Sequence, residues 1–243
     1  MDNFREFARK LPILPSLYAV YRKLKSTEQI FTRIFETNAW AGKDSVSGSG
    51  SDTYQTEIIV KELAVLFVDY RISSVLDIPC GDFHWMKNVD LGGVDYKGAD
   101  IVRDLIQQNT RRYGRDSIQF KRLDLIGDML PTADLILCRD CLVHFSFADV
   151  FRALNNVCSS GARYFLTTTF TERLDNDDIA TGQWRVLNLQ APPFMLAKPV
   201  RLINEGCSEG NGAYKDKSLG LWEIADIREI LATRTGGHAI TRR

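Results

Sequence analysis

A chain of 243 residues holds one α/β domain with a short appendage rather than two full domains and a linker. Its 44% hydrophobic and 26% charged residues are those of a globular protein, and 31 basic residues cancel 31 acidic ones, which argues against a nucleic-acid binder. No run approaches the roughly 18 apolar residues of a membrane span.

Residues 1–38 read as one or two amphipathic helices. Ser16 after Pro15 can cap a helix that carries Leu17, Val20, Tyr21, Leu24, Ile30, Ile34 and Phe35 at helical spacing. Seven Lys/Arg stand against two Glu between Arg5 and Arg33. That basic face suits either solvent or an anionic membrane surface, and both readings stay open. Charges, Pro12 and Pro15 interrupt the apolar core that a signal peptide needs, so a cytoplasmic location is expected. Residues 41–53, rich in Gly and Ser, form a linker or a lid; Trp40 precedes them. The expected division is therefore 1–53, helices and linker or lid, and 54–243, the main domain. Asp52 or Thr53 opens a helix with Ile58, Ile59, Leu63, Leu66, Phe67 and Tyr70 on one face.

From residue 74 a strand–helix rhythm takes over, with strands expected at 74–78, 96–101, 118–123, 133–138 and 162–170 and helices around 102–113 and 147–157. Such alternation predicts a parallel sheet with right-handed crossovers. Further strands are expected at Asn188–Phe194, Val200–Asn204 and Leu219–Ile224, as in a closing antiparallel hairpin. Residues from Ala232 onward are expected to be poorly ordered. The five cysteines, Cys80, Cys138, Cys141, Cys158 and Cys207, are an odd number expected to be free thiols. Cys138-x-x-Cys141 lacks the second pair that zinc would want, so no metal is expected.

In a doubly wound sheet, ligands occupy the crevice beyond the strand C-termini. The first strand is followed by Asp77-Ile78-Pro79-Cys80-Gly81-Asp82-Phe83, whose glycine lets backbone approach a ligand closely. Asp100 ends the second strand and can accept two hydrogen bonds from a ribose diol. Asp124 follows the third strand, and Arg139-Asp140-Cys141 the fourth. Their recurrence at one sheet edge carries more weight than any one of them.

VLDIPCGDF, GADI, LDL and ADLILCRDCLVHF together resemble, motif by motif, the class I S-adenosylmethionine-dependent methyltransferases over residues 74–170. In that family the first loop reads D-x-G-x-G-x-G; Asp77 and Gly81 match, while Pro79 and Phe83 replace the outer glycines. The resemblance implies a Rossmann-like fold, a mostly parallel seven-stranded sheet with helices on both faces. It implies methyl transfer to an oxygen or nitrogen of a small molecule, with S-adenosylmethionine bound at Asp77, Pro79, Cys80, Gly81, Asp82 and Phe83. Ile101 belongs to the same cofactor set; Asp100 would hold the ribose hydroxyls, Asp124 with Leu125 would border the adenine, and Cys80, Gly81 and the residues near Arg139 would surround the methionine part. It also tilts the acceptor towards a saccharide.

A nicotinamide dinucleotide would want G-x-G-x-x-G against its pyrophosphate, whereas this loop has one glycine and the opposing charge of Asp82. A sulfonium cation tolerates acidic and aromatic neighbours. His144 is a candidate general base for a hydroxyl acceptor, and Asp140 a candidate base or substrate anchor. The polar stretch 167–194 offers Glu172, Arg173, Asn176, Trp184, Arg185, Asn188 and Gln190 for a polyhydroxylated ligand, a peptide or another small polar molecule, with Trp184, Arg185 and Glu172 foremost. Asn204-Glu205-Gly206 and Tyr214–Lys217 are expected in later loops of a shared site. Two alternatives stay open: a non-catalytic binding or scaffold subunit of the same fold, and an NAD(P)-dependent oxidoreductase or epimerase.

Overall fold

The structure, a computed structural model, describes residues 26–236. The basic segment before residue 26, expected to be helical, and the last seven residues lie outside that range. Seven strands form one sheet: β1 (Ser74–Asp77), β2 (Asp95–Asp100), β3 (Ile118–Arg122), β4 (Leu135–Cys138), β5 (Tyr164–Phe170), β6 (Arg201–Asn204) and β7 (Lys217–Glu223), in the order β3-β2-β1-β4-β5-β7-β6. β1 to β5 pair in parallel, and β7 runs antiparallel between β5 and β6, as the expected C-terminal hairpin requires.

Alternate side chains along the strands feed two cores. Leu76, Ile136, Cys138 and Phe165 point to one face, where they meet Val150, Leu154 and Val157 of helix α4 (Phe147–Ser159) and Ile227 of α5 (Ile224–Gly236). Val75, Leu135, Leu137 and Leu166 point to the other, against Ile59, Leu63, Leu66 and Phe67 of α2 (Thr53–Asp69). With both faces covered, continuous apolar runs such as Leu135–Cys138 are what a central parallel strand demands. Ile58, expected on the buried face of α2, stays 43% exposed and leans on Gly206.

Two helices frame the C-terminal edge of the sheet. α3 (Arg103–Tyr113) follows β2 and buries Leu105, Ile106 and Asn109. α1 (Thr27–Glu36) starts at a capping box in which Ser26 and Gln29 satisfy each other's backbone N–H groups, and it buries Ile30 and Ile34. Its Glu28 pairs with Arg103 at 3.1 Å and Arg122 at 2.9 Å, tying α1 across the ends of β2 and β3.

Two further expectations are corrected, and one open choice is decided. Asn188–Phe194 is not a strand. Its backbone closes short-range turns (Ala191 N–H to Asn188 carbonyl, Phe194 N–H to Ala191 carbonyl), and Pro192 and Pro193 have no N–H for a ladder. Leu187, Leu189 and Phe194 are instead buried plugs. The tail from Ala232 does not loosen at once, because α5 continues to Gly236, with Arg234 lying over Phe151 at 4.7 Å and donating to the Pro193 carbonyl. Residues 41–53 are no slack linker, as described below. Among the described residues no helix is long and apolar enough to cross a membrane.

Candidate active site

The sheet order reverses between β1 and β4, and the loops leaving β1, β2, β3 and β4 converge there on a cleft. Its floor is Pro79, Cys80, Gly81 and Asp82. Gly81 adopts φ +54, where a side chain is strained, and its carbonyl accepts a 2.7 Å hydrogen bond from the buried Asn109 amide of α3. Asp100, Ile101 and Val102 line one side, Asp124 and Leu125 the next, and Arg139, Asp140 and His144 the third. Phe31 and Phe35 of α1 close the top together with Trp40.

Two residues of the expected cofactor set turn away from the cleft. The Asp77 carboxylate is fully buried against the Tyr96 hydroxyl, and burial above all raises it to about 7. Phe83 packs its ring among Tyr96, Tyr113 and Phe120 beneath the loop. Both hold the loop in shape and neither lines the cavity. Asp100 does line it: one oxygen accepts from the Val102 N–H at 2.9 Å, and burial raises its carboxyl to about 6. Asp124 caps the turn after β3 through the Ile126 N–H at 2.8 Å and also lines the cleft.

Asp82 has a different occupation. Its carboxylate accepts from Ser45 Oγ at 2.9 Å, the Val46 N–H at 3.1 Å and the His84 N–H at 3.2 Å. It therefore clasps residues 41–53, which cross the cleft as a strap. Ser47 lies so close above Gly81 that a Cβ there would be 2.3 Å from its hydroxyl. Farther along, the Gly50 carbonyl accepts from the Arg139 guanidinium at 2.8 Å, and Ser49 Oγ donates to Glu209 at 2.6 Å.

Behind the strap lies a network of four charges. Glu205 receives Arg139 at 2.6 Å and Lys217 at 3.4 Å, and Lys217 reaches Asp140 at 2.7 Å. Burial pushes the Asp140 carboxyl up, but Lys217 and Arg139 outweigh it and hold it at about 2. Burial likewise pulls the Lys217 ammonium down, and Asp140 with Glu205 more than restores it. An anion held this low and this firmly anchors; it is a poor proton acceptor.

His144 sits between two cavities. On one side is the cleft just described; on the other is a second cleft, reached also by Asp140, Trp40 and Ser47. The imidazole stacks on Trp40 with 4.9 Å between ring centres. Its Nδ1 is 2.8 Å from the Gln183 carbonyl oxygen, which can only accept, so Nδ1 carries the proton and Nε2 the lone pair. Burial leads the causes that lower its pKa, leaving a neutral ring at pH 7.

Of the expected substrate residues, Trp184 lines the second cleft. Arg185 does not: its guanidinium is buried over Phe147 and donates to the Leu142 carbonyl, and burial lowers it to about 10. Glu172 points to solvent beside Lys215, at 3.7 Å. Asn176 and Asn188 bond loop carbonyls of residues 188, 192 and 173, so they shape the long connection rather than a ligand site. Tyr214 and Lys217, expected in a later loop of a shared site, line the second cleft, and Glu205, expected with them, lies behind it on Arg139 and Lys217; the aromatic residues of α1 join the site although their local sequence carries no motif. All five cysteines are buried free thiols, and no group of metal-binding side chains occurs among the described residues.

No family model matches the chain, and no curated protein matches it. Solved structures do. The methyltransferase domain of bacterial CtHen1 superposes over 71% of this chain and 100% of its own length, with 10% identity and a TM-score of 0.51. PigF with SAH (S-adenosylhomocysteine) superposes over 69% of this chain and 55% of its own, with 15% identity and a TM-score of 0.51. Magnesium protoporphyrin IX methyltransferase from Synechocystis PCC 6803 with bound SAH matches at 17% identity over 50% of this chain, with a TM-score of 0.41. The chain spans 58% of that enzyme's length. The fold is thus the Rossmann-like fold of known methyltransferases, as the sequence motifs imply.

Proposed function

We propose that the protein is a methyltransferase that binds S-adenosylmethionine in the first cleft and a small-molecule acceptor, a saccharide in the favoured case, in the second. The observation that carries this reading is the pair of cavities meeting at a neutral histidine whose Nε2 is free of the proton.

The donor set fits the methyl donor. Lys217 and Arg139 offset Asp140 and Glu205, but Asp82, Asp100 and Asp124 face the first cleft with no ion pair among the described residues, a negative excess that attracts a sulfonium and repels a pyrophosphate. This disfavours a nicotinamide dinucleotide. Asp100 has acceptor capacity beyond its bond to Val102 and would take the ribose hydroxyls, and Asp124 with Leu125 would border the adenine. Cys80, Gly81 and the strap would enclose the methionine part. The bound donor supplies an electrophilic methyl group on a cationic sulfur.

The protein's own residues supply position and proton transfer. The strap 41–53 acts as a lid clasped by Asp82, excluding water and separating the two cavities except at the junction. His144 Nε2 takes the proton of an acceptor hydroxyl, and the Gln183 carbonyl steadies the imidazolium through Nδ1. Asp140, locked to Lys217, adds a fixed negative charge beside that imidazolium. The reading is tested by calorimetric titration with SAH, NAD and NADP. Binding of SAH alone is expected; binding of a nicotinamide nucleotide alone would overturn it.

A further inference from the structure

The second cleft has a charge and a surface that select among acceptors; the inference rests on the methyl-donor reading of the first cleft. Trp184 on its wall is 45% exposed, unusual for an indole that already meets Tyr214 at 5.2 Å and Phe170 at 6.4 Å. Three charged side chains reach the same cavity: Asp140, Lys217 and Glu209. Lys217 is engaged by Asp140 and Glu205, and Arg139 behind it by the same two carboxylates. Two cations therefore face three carboxylates, and the unmatched one is Glu209. Its hydrogen-bond partners are neutral, Ser49 Oγ at 2.6 Å and Cys207 Sγ at 3.8 Å, and among the described residues it forms no ion pair. Asp140 Oδ2, Glu209 Oε2 and Lys217 Nζ all converge on the spot where a Cβ on Gly50 would stand, 3.4 Å from each. The strap thus crosses there on a residue with no side chain, leaving these groups clear.

A carboxylate without an ion-pair partner, in a cavity lined also by an open indole, is the constellation that recognises a hydroxylated amine: the carboxylate pairs with the ammonium, and the indole face takes the apolar side of the ring whatever its substituent. The same excess of negative charge opposes a carboxylate- or phosphate-bearing acceptor. We propose that the second cleft takes a hydroxylated amine of the amino-sugar class, with Glu209 as the specificity-determining residue that pairs with the ammonium and Trp184 as the surface on which the ring lies.

The test uses the full chain saturated with SAH and titrated with D-glucosamine, D-glucose and D-glucuronate at pH 7, followed by saturation-transfer NMR. Glucosamine should bind about tenfold more tightly than glucose, and glucuronate least. Glu209→Gln should bring glucosamine down to the level of glucose, whereas Trp184→Ala should weaken both sugars alike. Equal binding of glucose and glucosamine, glucuronate binding as well as either, no sugar binding at all, or a preference that survives Glu209→Gln would each overturn the proposal. SAH affinity measured on the same wild-type sample separates the two readings. If SAH does not bind, the donor assignment fails; if SAH binds without an amine preference, only this inference fails.

Discussion

Asp100→Asn isolates the contact on which donor recognition turns. The substitution keeps the shape of the side chain and an oxygen for the Val102 N–H, now 2.9 Å from Asp100 Oδ1, but turns the other oxygen into a donor and removes the charge. A hydrogen bond to a charged group contributes about 1.5–3 kcal/mol, and a donor facing a ribose hydroxyl adds conflict, so SAH affinity should fall by about 2–3 kcal/mol, or roughly 30- to 150-fold. In the ligand-free protein the amide gives up part of the support the carboxylate receives from the Gly81 and Ile101 N–H groups, but it also removes a buried charge. The Asp100 carboxyl is raised from 3.8 to about 6 by burial, so its ionised form is disfavoured in the folded state. Stability tied to the protonated form is present below the unfolded pKa and is lost as pH rises through about 6. The neutral variant lacks that loss, and its Tm relative to wild type should climb between pH 4 and pH 8. Binding has the opposite sign: a diol that donates to the carboxylate favours ionisation, so wild-type affinity for SAH should tighten from pH 5 to pH 7, and the variant's profile should be flatter. Asp77, raised to about 7, keeps a residual slope in both proteins. Isothermal titration calorimetry across that range decides. An Asp100→Asn affinity within threefold of wild type, with the same pH profile, would refute the role of this carboxylate.

Three further outcomes follow from the geometry. His144→Gln should leave SAH affinity within threefold and lower SAH release from S-adenosylmethionine with a hydroxyl acceptor by about 10²- to 10⁴-fold; a drop under tenfold would place the proton elsewhere. Gly81→Ala meets both φ +54 and a Ser47 hydroxyl 2.3 Å from the new Cβ, so it should weaken SAH binding, and adding Ser47→Ala should recover part of the loss. Absence of any recovery by calorimetry would show that the strap does not rest on Gly81. Gly98→Ala drives a methyl to 2.7 Å from the Phe120 ring and 3.1 Å from Cys80 Sγ. Overpacking of this kind costs about 1–3 kcal/mol, seen as a Tm lower by about 3–10 °C in a thermal melt; an unchanged Tm would mean that the β2–β3 face is looser than its contacts indicate.

The architecture was legible because apolar periodicity is local. Short runs such as 74–78 and 133–138, each followed by a helical or polar stretch, predict parallel strands, and the acidic residues after them mark the edge where a ligand sits. Asn188–Phe194 misled because its alternating apolar residues match a strand, while Pro192, Pro193 and short-range turns make it a plug. The resemblance places Asp82 at the cofactor, and the residue does line the first cleft; that its carboxylate also holds the strap depends on a segment 36 or 37 positions away. Polarity marks Arg185 and Glu172 as ligand groups but says nothing about the direction a side chain takes out of a long loop.

The order of strands and helices, the single-glycine turn after the first strand and the acidic row at Asp100, Asp124 and Asp140 are properties of the sequence by itself, since each is set by residues within a few positions of one another. The second cleft, the pairing of Asp140 with Lys217 over 77 positions, the stacking of Trp40 on His144 and the unmatched Glu209 were decided only by the tertiary structure. Contacts between distant parts of the chain are made by loops whose paths depend on how the completed sheet holds their ends. Charge compensation and tautomer choice exist only once those loops meet.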